Sequence, residues 1–210
     1  MSTISFAITA HNEHIELERL LNQIESIVKP GDEIMVQLDS NATNEVKSVA
    51  DKHNVGNKIE YHRIYSSLNG DFASFKNNLK NHCTRDWVFF IDADEYLSKG
   101  LSKNIHEILD INEGIVDVIS IPRINTVEGL TAQHIGKWRW NVNDKGWVNF
   151  PDYQWRIWKN NGKIKWINKV HERLDGFQTY SVLPQIEEYC LFHPKDIVRQ
   201  EKQNALYETI

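Results

Sequence analysis

The sequence predicts an α/β protein built on a mostly parallel sheet, and three observations carry that prediction. Short apolar runs rich in β-branched residues alternate with amphipathic helical segments over the first 120 residues. The first, second and fourth runs each end in a polar cluster, at the strand ends where such sheets bind ligands. No repeat, low-complexity tract or flexible linker interrupts the 210 residues, so one domain is expected, with a first half over 1–121 and a second over 122–210.

Residues 4–10 (ISFAITA) form the first expected strand. Leu17, Leu20, Leu21, Ile24, Ile27 and Val28 then recur at helical spacing until Pro30 and Gly31 stop the helix. Residues 33–39 (EIMVQLD) make a second strand that closes on Asp39, and Thr43 caps a helix carrying Val46, Val49 and Ala50. Residues 58–64 (KIEYHRI) alternate as a third strand. Phe72, Phe75 and Leu79 mark a third helix, and residues 86–92 (DWVFFID) a fourth strand. Leu101, Ile105, Ile108 and Leu109 give a fourth helix, and residues 116–121 (VDVISI) a fifth strand. Beyond 122 the pattern changes to short aromatic segments, GKWRWNV, KGWVNF, YQWRIWK and KIKWINKVHERL, expected as short strands and hairpins. A polar helix is expected over 196–210.

Charge and composition exclude several classes. The formal net charge is −5, which argues against general nucleic-acid affinity. No apolar stretch approaches the ~18–20 residues that span a bilayer, and the N-terminus lacks the basic start and apolar run of a secretion signal. Cys83 and Cys190 make neither a metal spacing nor a disulfide framework, which points to a reducing, cytoplasmic setting. Six of the seven tryptophans fall between Trp138 and Trp166, so aromatic surface or core concentrates in the second half.

The stretch VFFIDADEYL (88–97) runs an apolar strand into Asp92, Asp94 and Glu95. Three carboxylates so close repel one another and lose hydration unless cations or donors compensate them. As hard oxygen ligands they suit Mg²⁺ or Mn²⁺ shared with substrate phosphates. The competing reading is a solvated turn that caps a helix.

Together, FAITAHNE, QLDS, GDFASFKNNL and WVFFIDADEYL resemble, in order and spacing, the family 2 glycosyltransferases of the GT-A fold. FPDYQWRIWKNNGKIKWINKVHERL (150–174), followed by His193, is similar to a bacterial branch that includes lipopolysaccharide-core glucosyltransferases. The resemblance implies an inverting, metal-dependent transfer of a hexose from a UDP-sugar, with UDP-glucose favoured, to a glycan or other hydroxyl-bearing acceptor. A membrane-linked acceptor would imply peripheral membrane association. By the same resemblance Ala10, Asn12 and Glu13 lie near the uridine, Asp39 bonds the base, and Lys76 with Asn77 faces the donor. Asp92 holds the ribose or joins the metal, and Asp94 is the metal ligand for Mn²⁺ or Mg²⁺. Many relatives read DSGSTD where this chain reads DSNATN, so no role passes to Asn44.

Glu172 is the expected general base, with Asp152 as the alternative. Glu172 and His193 also resemble the acid and later metal-binding histidine of polypeptide N-acetylgalactosaminyltransferases, which makes His193 a second metal ligand and His171 its alternative. Sugar rings stack on indole, so one or two of Trp138, Trp140, Trp147 and Trp158 are expected to meet the acceptor, most of the six tryptophans being packing. Arg156, between two tryptophans, suits a phosphate or carboxylate of donor or acceptor, or a structural salt bridge.

Other readings fit less well. A haloacid-dehalogenase-type phosphatase needs its DxD on the first strand, with Thr or Val in place of Glu95. An EF-hand lacks its glycine and closing glutamate, and a dinucleotide fold lacks G-x-G-x-x-G after the first strand. A non-catalytic carbohydrate-binding protein on the same scaffold would have no use for the acid cluster.

Overall fold

The computed structural model describes residues 2–54 and 59–207; Lys58 of the expected third strand and residues 208–210 of the expected last helix lie outside them. Strands β1 (Ile4–Ala10), β2 (Glu33–Asp39), β3 (Glu60–Ser66) and β4 (Trp87–Asp92) alternate with helices α1 (His14–Glu25), α2 (Asn44–Asn54) and α3 (Phe72–His82). After them come β5 (Tyr96–Leu97), α4 (Lys99–Asn112), β6 (Val118–Glu128), α5 (Ala132–Trp138) and β7 (Val148–Lys159). Strands β8 (Lys165–Ile167), β9 (Arg173–Asp175), β10 (Tyr180–Val182) and β11 (Leu191–Asp196) lead into α6 (Ile197–Tyr207).

The main sheet runs β3-β2-β1-β4-β7-β6-β11-β5, with β10 also on β6. Its first four strands are mutually parallel, as right-handed β-α-β connections require. Strand β7 enters antiparallel between β4 and β6, and β11 returns parallel to β6. Both halves of the chain therefore contribute to one sheet.

Strand β4 shows why the sheet holds. Trp87, Phe89 and Ile91 pack into the cluster beneath α1, α2 and α4, while Val88 and Phe90 pack into the opposite cluster with α3. Period-2 alternation buries both faces, which is why the strand reads as one continuous apolar run. On the second face Phe90, Trp158 and Trp166 form a ring triad with centroids 5.8–6.4 Å apart.

The second half departs from expectation in two places. The segment GKWRWNV is not a strand: Thr131 and His134 form a capping box that starts α5, and Arg139 in the left-handed region (φ 55°) ends it. The segments KGWVNF, from Val148 onward, and YQWRIWK are not separate hairpins but parts of β7, which pairs with β6 from Val148 to Trp158 and with β4 at Ile157, Trp158 and Lys159. Among the described residues no helix is long and apolar enough to cross a membrane.

Candidate active site

A cleft of about 600 Å³ opens at the carboxyl ends of β1, β2 and β4, and residues of β6, β7, β11 and α6 form its far wall. Sheet register sets its polar contacts. Thr9 stands opposite Asp92, Arg123 opposite Asp152, and Asn125 opposite His193. Directly opposed residues share a face and touch, and each of these pairs is bonded. Thr9 Oγ1 donates to Asp92 Oδ1 at 3.3 Å, and Arg123 Nη2 donates to Asp152 Oδ2 at 2.7 Å. His193 Nδ1 lies 2.7 Å from Asn125 Oδ1.

Two arginines compensate the acids at the end of β4. Arg156 Nη2 donates to Asp92 Oδ2 and to Glu95 Oε1, both at 2.6 Å, and Arg123 Nη1 donates to Glu95 Oε1 at 2.8 Å. Glu95 is fully buried, and its other oxygen accepts the Asp92 backbone N–H at 3.2 Å. It is the clamp that holds both guanidiniums beneath the site. Burial opposes the charge on Asp92, but Arg156, then Lys76 and Arg123, hold its carboxyl well below the ordinary value.

Asp94 faces the other wall. Its Oδ2 is 3.2 Å from His193 Nε2 and 3.2 Å from Arg199 Nη2 on α6. Burial raises its pKa, while the His193 hydrogen bond and charge, with Arg199, bring it down to about 2. Asn125 Nδ2 donates to Asp152 Oδ2 at 2.8 Å, which turns Oδ1 toward the imidazole and places the proton on Nδ1. Nε2 is then the ring nitrogen that faces Asp94. One carboxylate oxygen and one imidazole nitrogen fit a divalent cation that takes its other ligands from substrate and water. Among the described residues, three ligand atoms of His, Cys, Asp or Glu converge within 4.8 Å only at Glu33, Glu60 and His62, on the β2–β3 side, where Arg85 already bridges both glutamates.

The wall formed by the ends of β1 and β2 and by α3 is preorganised. Asp39 Oδ1 and Oδ2 accept the backbone N–H groups of Asn41 (2.8 Å) and Leu68 (3.1 Å). Glu13 Oε2 accepts those of His11 and Asn12, while its Oε1 takes Arg199 Nη2 at 2.9 Å. Lys76 Nζ sits 4.6 Å from the Trp166 ring and 5.0 Å from the Phe90 ring, and pairs with Glu172 Oε1 at 2.5 Å.

Ala10, Asn12, Glu13, Asp39, Lys76, Asp92, Asp94, Arg156, Glu172 and His193 all line the cleft. Seven expected residues do not; Trp147 is one, and another, Trp140, lines a smaller cavity instead. Asn77 spends its amide on the Trp166 backbone, donating at 2.8 Å and accepting at 2.9 Å, and so ties α3 to β8 rather than facing the donor. Asp152 is no base: Arg123, Asn125 and Gln154 occupy both its oxygens, and against burial they lower its pKa. His171 is exposed at φ 53° and stands outside the lining, so it is no alternative ligand. Trp158 is fully buried in the ring triad and offers no face to an acceptor. Trp138 stacks between His134 and Trp140 outside the cleft. Arg156 serves as the salt bridge of the acid cluster through Nη2, while its buried Nε has no hydrogen-bond partner among the described residues.

Sequence reasoning missed Arg123, Asn125, Trp166, Lys195 and Arg199, which line or brace the cleft. Arg123 had a signal of its own, a lone cation inside the apolar strand ISIPRINTV. Lys195, Arg199 and Lys202 had another, a basic residue at i, i+4 and i+7 in an otherwise mixed polar segment.

The likenesses to known proteins agree with this architecture. A glycosyltransferase of the SPbeta prophage in Bacillus subtilis, SunS, is 26% identical over 174 residues, which are 81% of this chain and 34% of that protein. An uncharacterised glycosyltransferase of Rickettsia felis is 33% identical over 108 residues, 51% of this chain and 34% of its own length. The chain thus spans about a third of these curated relatives. TarS 1–349 of S. aureus, solved in complex with UDP-GlcNAc, superposes with a TM-score of 0.62 at 16% identity, covering 93% of this chain and 59% of that one. The same fragment in complex with UDP gives 0.60 at 14% identity, over 92% and 60%. These two establish the shared GT-A-type fold. Residues 5–183, from β1 to just past β10, match the sequence profile of family 2, and on that match the chain belongs to the glycosyl transferase family 2.

Proposed function

We propose that this chain transfers a sugar from a UDP-sugar to a hydroxyl-bearing acceptor in a single inverting displacement. The observation that carries the reading is the placement of Asp39, Asp92 and Asp94 on one edge of one sheet, facing a wall of His193, Lys195 and Arg199. Asp39 and the Ala10–Glu13 loop receive the uracil and ribose on a frame already fixed by backbone hydrogen bonds. Asp94 and His193 would hold Mn²⁺ or Mg²⁺, which when bound supplies Lewis-acid stabilisation of the diphosphate. Arg199 and Lys195 add positive charge on the same side.

In the transfer, the acceptor oxygen forms a bond to the anomeric carbon as the bond from that carbon to the diphosphate breaks, and UDP leaves. The acceptor proton passes to Glu172. Donor phosphate draws Lys76 from Glu172 and frees the carboxylate for this work, which is worth ~10²–10⁴ in rate. The UDP and UDP-GlcNAc held by TarS make those nucleotides, with UDP-glucose, the first to test.

The test is UDP release from a panel of UDP-sugars with and without Mn²⁺, alongside UDP titration of the Asp94→Ala variant. Metal-dependent release, and loss of the metal-dependent part of UDP affinity in the variant, are expected. Absence of UDP binding and of release from every donor, with metal present, would overturn the reading.

A further inference from the structure

A second cavity, of about 200 Å³, adjoins the cleft and shares Arg123, His193 and Lys195 with it. Its remaining walls include Trp140, Val148, Asn149 and Gln200, from the loop after α5, from β7 and from α6. We infer that this cavity binds a single sugar ring of the acceptor, so that the acceptor is itself a glycoside whose hydroxyl meets the donor at His193. The inference rests on the glycosyl-transfer reading and names its second substrate class.

The chemistry of the walls selects a sugar. A pyranose presents hydroxyls that both donate and accept around its rim and a patch of C–H bonds on its face. Carboxamides can both donate and accept, which ammonium, guanidinium and carboxylate groups cannot. An indole offers a flat, electron-rich face to C–H bonds. Asn149 Oδ1 is taken by Asn141 N and Gln200 Nε2 donates to Asn204 Oδ1, which leaves the Asn149 amide nitrogen to donate and the Gln200 amide oxygen to accept beside Trp140, in a space sized for one ring that shares its Arg123, His193 and Lys195 wall with the cleft.

The indole is also held in place. Trp138 packs 4.6 Å from Trp140, and His134 stacks 5.2 Å from Trp138 at an interplanar angle of 12°. The strand-like end of the loop is pinned twice, by Asn149 N donating to Asn141 O at 2.7 Å and by Asn141 N donating to Asn149 Oδ1 at 2.9 Å. A rigid platform loses little freedom on binding, which is where a weak, hydroxyl-rich ligand gains affinity.

Saturation-transfer NMR with the methyl pyranosides of glucose, galactose, mannose and N-acetylglucosamine, with and without UDP, tests this directly. At least one glycoside should bind the parental chain. Its dissociation constant should rise roughly tenfold or more in Trp140→Ala and severalfold in Gln200→Ala, a surface change on α6 that spares the fold. Trp140→Phe should retain most of the affinity. UDP titration of each variant reports on the fold and on the donor site separately. Binding of none of the four glycosides to a chain that binds UDP would overturn the inference and leave the donor reading standing. Glycoside binding unaffected by Trp140→Ala would overturn it as well. Glycoside binding sensitive to Trp140 in a chain that binds no UDP would uphold the sugar pocket and defeat the donor reading.

Discussion

His193 and Asn125 face each other in register across β11 and β6, with Nδ1 of the imidazole 2.7 Å from the amide oxygen. Asp152 fixes that amide, so the proton on His193 is set by a carboxylate that never touches the ring. Asn125→Leu removes the acceptor and frees the tautomer. Mn²⁺-dependent UDP affinity should fall ~10–100-fold, as for other partners behind a metal-binding histidine. Calorimetry with and without Mn²⁺ reads this; equal metal enhancement in variant and parent would contradict it.

Glu95 holds two buried guanidiniums and the Asp92 backbone from a fully buried position. Glu95→Ala takes from each buried arginine one of its two carboxylate partners, leaving Arg123 with Asp152 and Arg156 with Asp92. A loss of about 3–5 kcal/mol is expected, the usual cost of breaking one side of a buried pair. Urea unfolding measures it, and a loss under 1 kcal/mol would show that the clamp is dispensable.

Acid should weaken the fold in a defined window. Asp94, brought down to about 2, and Asp152, also lowered, are each more acidic folded than unfolded. The stability they contribute is complete above the unfolded value of about 4 and is lost as pH falls through the folded values. Asp152→Asn should lower stability at pH 7 yet make the decline below pH 4 shallower. Urea midpoints measured from pH 7 to pH 3 check the sign.

Glu172 stands in the cleft with Lys76 on one oxygen. Glu172→Gln should keep UDP affinity within a few fold and lower turnover roughly 100-fold or more. A nearly active variant in a UDP-release assay would move the base elsewhere.

The first half of the fold was legible because strands buried on both faces write themselves as apolar runs, and Asp39 and Asp92 end two of them abruptly. The second half was less so. Aromatic residues serve strand and helix alike, so GKWRWNV hid α5, whose cap lies upstream at Thr131. The site followed the same division. Acids at strand ends could be read singly, but Asn77, Asp152 and Trp158 were misassigned because each is consumed by a partner distant in sequence. Register supplies that information, and register between β6, β7 and β11 is not written in any one strand.

The parallel return of β11 to β6 also bears on how the protein is made. Arg156 is translated 64 residues after Asp92, and His193 99 residues after Asp94. At ~5–20 residues per second, Asp94 is synthesised about 5–20 s before the histidine that faces it. A nascent chain stalled before residue 191 carries the Ala10–Glu13 loop and every acid of the cluster, but lacks His193 and Arg199. Premature termination in that interval would therefore yield a product with a charged, half-built centre, a ready client for chaperones rather than a weak enzyme.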